Sequence, residues 1–328
     1  MTHGLLPLAI ALTAMTMLTA PAAGVIKTPI AEADGLPLID RGVGNDGIEN
    51  LSGSERYVAL RAGRDTVVAR VQQDTGTVLS SRFVRGELTV PAVAYDGSPA
   101  GLSANGELLA LIKPRARFPR ERTTLALLDA QRMRLRERIV LDGDFSFDAI
   151  SPDGSVLYLV EYPNRRDPSV YRVRMYDVPA GRLLPKPLID SRLAAVVMRG
   201  LPVTRTTSPD GATAYTLYDG GGDGPFIHAL DTAERSALCI LLPMAKRRPD
   251  PWKMQLEMAP DGRELAVTAK GRTVAIVDTE TAKAREPGEP APEPEASSSL
   301  GLVAGLLALT AVGAGGWSLR RWRRQPSS

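Results

Sequence analysis

One cysteine, Cys239, and two histidines, His3 and His228, are all that the 328 residues contain of either type. A single cysteine excludes an internal disulfide. In the apolar run Ala237–Leu242 it reads as a small buried hydrophobe and not as a nucleophile. His3 belongs to an N-terminal apolar stretch, so His228 alone serves the body of the chain. Zinc centres and His-based catalytic triads are therefore excluded. His228 lies in the strand-like run Phe226–Leu230, where packing or hydrogen bonding is its expected role. The chain also lacks Gly-x-Ser-x-Gly, Ser-x-x-Lys, His-x-x-x-His and a glycine-rich phosphate loop after a strand. Aromatic residues make up 5% of the chain, and Trp252 is the one tryptophan ahead of the C-terminal region, which disfavours a sugar-stacking lectin. No catalytic, cofactor-binding or metal-ligating residue is assigned, and no cofactor is expected.

A strong net charge is missing as well. Four of the 40 basic residues sit in the last nine positions, which leaves 36 against 37 acids. The body of the chain is near neutral and gives a nucleic-acid role no global electrostatic support. Locally, nine basic residues and three acids fall between Lys113 and Arg138. There Arg132, Arg134, Arg136 and Arg138 alternate, as they would on one face of a strand. Such a row suits an anionic polymer or an acidic partner. It equally suits an outermost strand whose charges block edge pairing, and that is the expectation taken here. Asp219-Gly-Gly-Gly-Asp223-Gly224 offers two carboxylates on a flexible loop. The alternating oxygens and terminal Glu of a dedicated calcium loop are missing, so a plain hairpin turn is expected.

What is present is a repeat. Ser103-Ala-Asn-Gly106, Ser151-Pro-Asp-Gly154, Ser208-Pro-Asp-Gly211 and Ala259-Pro-Asp-Gly262 each run at once into an apolar strand. A worn copy, Ser52-Gly-Ser-Glu55, precedes Tyr57–Leu60, and Glu55 in place of glycine requires a different turn there. Pro presets φ, Asp caps the turn through its side chain, and Gly takes positive φ at no steric cost. Val156–Val160 is apolar on both faces, as in a strand inside a stack of sheets. A second strand follows each of these and ends in Asp, as at Asp129, Asp177, Asp231 and Asp278. Less regular stretches such as Leu183–Ile189 and Leu193–Val197 fill out each unit. Four strands in about fifty residues is the content of one propeller blade.

These turn-strand units resemble those of TolB-like, WD-repeat-like β-propellers, in which Ser-Pro-Asp-Gly recurs once per blade. The resemblance covers roughly residues 34 to 283 and implies an all-β fold of about five four-stranded blades. Such propellers serve as scaffolds, receptors, subunits and occasionally enzymes, so the fold leaves the function open. The last repeat shows two clear strands. Leu36–Asn50 is expected to supply the others by pairing with Thr273–Asp278, closing the ring and its sheet edges.

The ends of the chain suggest an address. Residues 5–18 are apolar but short for a membrane span, and Ala20-Pro21-Ala22 follows as a small-residue cleavage site. Residues 1–22 therefore read as a signal peptide, although its usual basic start is lacking. The ectodomain is then 23–285. Residues 286–299, rich in Pro, Glu and Ser, form an extended spacer. Residues 300–319 are uncharged and long enough, at about 1.5 Å each, to cross about 30 Å of hydrocarbon as one C-terminal transmembrane helix. Arg320, Arg321, Arg323 and Arg324 in the tail 320–328 mark the cytoplasmic side and leave the head outside the cell. The expected protein is a single-pass surface protein whose head binds a protein, peptide or cell-wall polymer. The alternative is a calcium-dependent extracytoplasmic hydrolase or lactonase acting in the propeller channel.

Overall fold

The computed structural model describes residues 47–192, 197–243 and 249–290. The chain there forms five antiparallel sheets in sequence order. The first contains β1 (Ile48–Glu49), β2 (Glu55–Ala62), β3 (Asp65–Gln72) and β4 (Val78–Val84). The second contains β5 (Leu108–Ile112), β6 (Arg122–Asp129) and β7 (Arg134–Asp142). The third is built on β8 (Phe145–Ile150), β9 (Val156–Glu161), β10 (Val170–Asp177) and β11 (Arg182–Leu183), with β12 (Met198–Arg199) also pairing with β10. The fourth contains β13 (Pro202–Thr207), β14 (Thr213–Tyr218), β15 (Phe226–Asp231) and β16 (Ser236–Leu241). The fifth contains β17 (Met254–Met258), β18 (Glu264–Ala269), β19 (Arg272–Asp278) and β20 (Lys283–Arg285). Each sheet is an up-and-down antiparallel meander in which strands adjacent in sequence pair, with β12 on β10 as the exception. Among the described residues no helix is long and apolar enough to cross a membrane. Residues 1–22 and 291–328, which hold the expected signal, span and tail, lie outside the described residues.

The repeated turn joins the first and second strands of four sheets and in the second precedes β5, so the structural unit begins one strand before it. Its chemistry is the same in three copies. Ser151 Oγ accepts from Val156 N at 2.9 Å and donates to Asp153 Oδ1 at 2.6 Å, while Gly154 N donates to Ser151 O. Ser103 and Ser208 do the same with Leu108 and Thr213. The copy in the first sheet is Asn50–Gly53, two residues earlier than the sequence suggests. Asn50 Oδ1 takes the place of the serine hydroxyl by accepting from Glu55 N, and Gly53 carries the positive φ of 69°. An Asx side chain satisfies the same amide as a hydroxyl, which is why the spelling differs and the turn does not. The aspartates ending the third strands cap the next turn: Asp177 accepts from Ala180 N and Asp278 from Thr281 N.

Closure of the last sheet differs from expectation. β19 is paired on one side with β18 and on the other, over Ile276–Asp278, with β20, where Val277 faces Ala284. Within Leu36–Asn50 the described residues are Gly47–Asn50. There Ile48 and Glu49 form β1 and pair with Tyr57 and Arg56 of the first sheet. A five-residue turn brings β1 back onto β2 at far lower loop entropy than a partner 200 residues away.

Packing runs from sheet to sheet. Tyr57 and Val68 of the first meet Leu109 and Leu128 of the second. Leu125 and Leu127 meet Phe147 and Leu157, Tyr158 meets Leu230, and Leu217 and Ile227 meet Leu256 and Val267. Among the described residues no apolar cluster joins the fifth sheet to the first. On the first sheet's outer side Leu60, Val78 and Phe83 stay 38%, 58% and 57% exposed.

The arginine row also differs. Arg132 lies in the turn before β7, and the register shifts between Leu127 and Leu128 so that Arg136 falls at a bulge. The four side chains therefore do not share one strand face. Arg132 and Arg136 both reach Asp129, and Arg138 donates to Arg85 O. β7 is nevertheless the outermost strand of its sheet, as expected.

Candidate functional site

The inner edge of β5 is covered by two separate pieces, since Thr89 bridges Ile112 and Leu102 bridges Leu109. Between them residues 91–100 form a hairpin, with Ala92 bridged to Pro99. Its tip crosses to the fourth sheet: Tyr95 N donates to Pro202 O at 3.0 Å and Asp96 N to Val203 O at 3.2 Å. The first strand of the second blade is thus interrupted by a crosspiece that ties two non-neighbouring sheets. Nothing in the apolar pattern of residues 88–102 announces it, because its bonds are backbone bonds to distant strands.

On the turn side of this crosspiece lies a cleft of about 600 Å3. Its wall comes from the first sheet's turn (Glu49, Asn50, Leu51), the second's (Ser103, Ala104), and Arg205 and Thr207 of β13. Leu51 at the rim is 55% exposed. The turn glycines set how closely these walls approach. A Cβ on Gly211, at φ 71°, would lie 2.9 Å from Ala104 Cβ and 3.6 Å from Leu51 Cδ1.

The charges of the cleft are internally paired. Arg56 reaches Glu49 Oε1 at 3.1 Å, and Gln73 Nε2 donates to the same oxygen at 2.9 Å. Arg205 is buried, ion-paired with Asp148 of β8, and donates from Nε to Thr216 Oγ1 at 2.8 Å. A further buried pair, Arg115 with Asp144 at 2.6 Å, sits beside Ser146 and Tyr162. Inner strand β8 and the residue before it therefore present acids that neighbouring arginines hold. A cleft with balanced charge selects by shape and hydrogen bonding more than by net charge.

The other sequence candidates fall elsewhere. His228 is 1% exposed, stands on the rung Thr216–His228–Cys239, and meets the Tyr218 ring edge-on at 6.3 Å. Burial lowers its pKa. Cys239 packs its sulfur 3.9 Å from Met198 Sδ, and burial with Asp190 nearby pushes the thiol up to about 11, far from a thiolate nucleophile. Asp219 braces its loop, accepting at Oδ1 from Leu201 N at 2.8 Å and Gly221 N at 3.1 Å. Among the described residues no group of three His, Cys, Asp or Glu converges as a metal site would require. Asp144, Asp148 and Asp190 are buried acids that sequence reasoning passed over. Their only signal was Asp in otherwise apolar surroundings.

Antiparallel meanders of mostly four strands, repeated in sequence order and packed sheet on sheet, are the blades of a β-propeller fold. Similar solved structures include TolB from Acinetobacter baumannii, at TM-score 0.43 and 14% identity over 72% of this chain and 52% of that one. Others are a putative TolB from Agrobacterium tumefaciens (0.40, 15%, 73% and 78%) and the Cps50 (Swd1) β-propeller domain of Myceliophteria thermophila (0.41, 13%, 73% and 67%). The match spans about half the length of the Acinetobacter structure. No family model matches the sequence, and no curated protein matches it.

Proposed function

We propose that this chain is a membrane-anchored extracytoplasmic binding module, with the 600 Å3 cleft as the seat for a protein or peptide segment. The observation that carries the reading is the cleft's charge balance: Glu49–Arg56 and Asp148–Arg205 neutralise each other, Asn50 and Ser103 spend their polar groups within their own turns, and Thr207 and exposed Leu51 remain on the wall. An uncharged, concave, partly apolar surface with a few polar groups suits a polypeptide segment. The anchor rests on the uncharged stretch 300–319 and the arginines after it.

A photoreactive residue at Leu51 in the full-length protein is expected to cross-link an envelope protein or peptide. The same residue at Leu241, which is 77% exposed on an outermost strand, is expected not to. Equal labelling from both positions, or none from position 51, would overturn the assignment. External protease on intact protoplasts is expected to remove the head and leave a small membrane-bound fragment. A head protected until lysis would refute the orientation. No observation favours the calcium-dependent hydrolase, since the inner-strand acids Asp144 and Asp148 are engaged by Arg115 and Arg205.

A further inference from the structure

The fifth sheet carries a second cleft, of about 480 Å3, with a different chemistry. It lies between the turn around Pro251–Lys253 and the β18–β19 hairpin, and Asp250, Lys253, Lys270 and Arg272 line it together with Pro249 and Val274. Three cations thus face one carboxylate. Lys253 Nζ uses that carboxylate, at 3.1 Å from Asp250 Oδ2, in a pair open to solvent. Lys270 and Arg272 make no ion pair among the described residues. The larger cleft, by contrast, neutralises its own charges.

Two further observations mark this place. Lys270 and Gly271 form a two-residue hairpin turn with φ 52° and 72°. Such turns favour Asn-Gly, because an L-residue in the left-handed region is strained. Met133, Arg235 and Ala282 take the same conformation, so the turn decides only where Lys270 stands, at the hairpin tip next to Arg272. Trp252, in the same turn as Lys253, is 46% exposed, yet its position is set by Tyr95, whose ring meets it edge-on at 5.0 Å and 85°. A tryptophan fixed at one edge and open to solvent is a ready stacking surface.

We propose that this cleft binds an anionic cell-wall polymer, with Lys253, Lys270 and Arg272 holding its phosphodiester groups and Trp252 lying against its sugar or polyol units. The inference rests on the reading of the chain as an extracytoplasmic binding module, and it names a second ligand class at a separate place. Three cations around one carboxylate complement an anionic ligand, and attraction between exposed charges is screened within about 8 Å at physiological salt.

The test uses the full-length protein in neutral detergent and a soluble poly(glycerol phosphate) carrying sugars. Wild type is expected to bind it, several-fold more weakly as salt rises from about 50 to about 200 mM. The triple variant Lys253→Gln, Lys270→Asn, Arg272→Gln is expected to lose at least about tenfold in affinity with an unchanged melting temperature, since Asn tolerates the turn. Trp252→Ala is expected to lose affinity for the glycosylated polymer and not for the bare one. The control Arg82→Gln, Arg134→Gln is expected to bind as wild type. A triple variant that binds as wild type would sink the proposal. So would wild-type binding to phosphatidylglycerol vesicles or inorganic phosphate alone, which would make the patch membrane-facing or a simple anion site. A protein that ignores the polymer but still cross-links from position 51 refutes this inference and spares the reading of the larger cleft. Loss of both refutes both.

Discussion

Buried ionisable residues give this protein its sharpest single-residue behaviour. Asp190 accepts from Arg192 and from Cys239 N at 2.8 Å, and the Arg192 bond foremost lowers its carboxyl from the ordinary 3.8 to about 2. A depressed carboxyl stabilises the fold above about pH 4 and loses that contribution as pH falls towards 2. Arg192 is half exposed, which screens the pair, so Asp190→Asn is expected to cost about 1–2 kcal/mol at neutral pH and little at pH 2. Equal urea midpoints of variant and wild type at pH 7 would refute this. His228 behaves differently. Its folded pKa lies below 6.5 through burial, so the unfolded chain takes up the proton first and stability falls as pH drops through 6.5. His228→Leu is expected to flatten the stability curve between about pH 7 and about pH 5.5, read by urea unfolding at each pH. A variant curve as steep as wild type would assign the slope to other groups.

The turns are the elements on which the repeat depends, and they are not equivalent. Gly53 and Gly211 share nearly the same positive φ, 69° and 71°. Around Gly53 an added Cβ meets nothing within 4 Å, whereas at Gly211 it meets Ala104 Cβ at 2.9 Å. Gly53→Ala is therefore expected to cost about 1 kcal/mol, for the left-handed backbone alone. Gly211→Ala adds overpacking between sheets, for a total of about 2–4 kcal/mol. Equal losses in chemical denaturation would show that the inter-sheet contact is relieved by movement. At the same scale the Ser hydroxyl explains the spelling of the turn: it answers the amide five residues on and the Asp two residues on. Ala259 lacks it, yet Gly262 N still donates to Ala259 O, so the hydroxyl adds to a turn that the backbone already makes.

For the whole molecule, the decisive feature is an asymmetric stack. Four inter-sheet interfaces are filled, and on the first sheet Leu60, Val78 and Phe83 remain in solvent. Because β1 belongs to the first sheet, a chain beginning at Ser52 is expected to lose amide protection in β2 and keep it in β19. Hydrogen exchange would show it, and protection lost in β19 instead would restore a closure between the first and last sheets. Substitutions should follow the same asymmetry. Leu111→Ala, fully buried between sheets, is expected to cost about 2–5 kcal/mol, while Phe83→Ser on the open side costs under about 1 kcal/mol.

The strands and turns were legible in the sequence because their causes are local. Leu108–Ile112, Val156–Val160 and Leu265–Thr268 announce themselves by apolar runs behind a Gly turn, and all three are strands. Period, fold class and the outermost place of β7 follow from the same short-range chemistry. Partners decided by distance in space were not legible. The crosspiece at 91–100 and the ion pairs of Asp148 and Asp144 all depend on which strands come to face each other. The same holds for Lys253, Lys270 and Arg272, which are separated by up to 19 positions and line one cleft only because β17 to β19 fold side by side. A hydrogen bond or charge pair carries no sequence period, so only the tertiary structure could assign it.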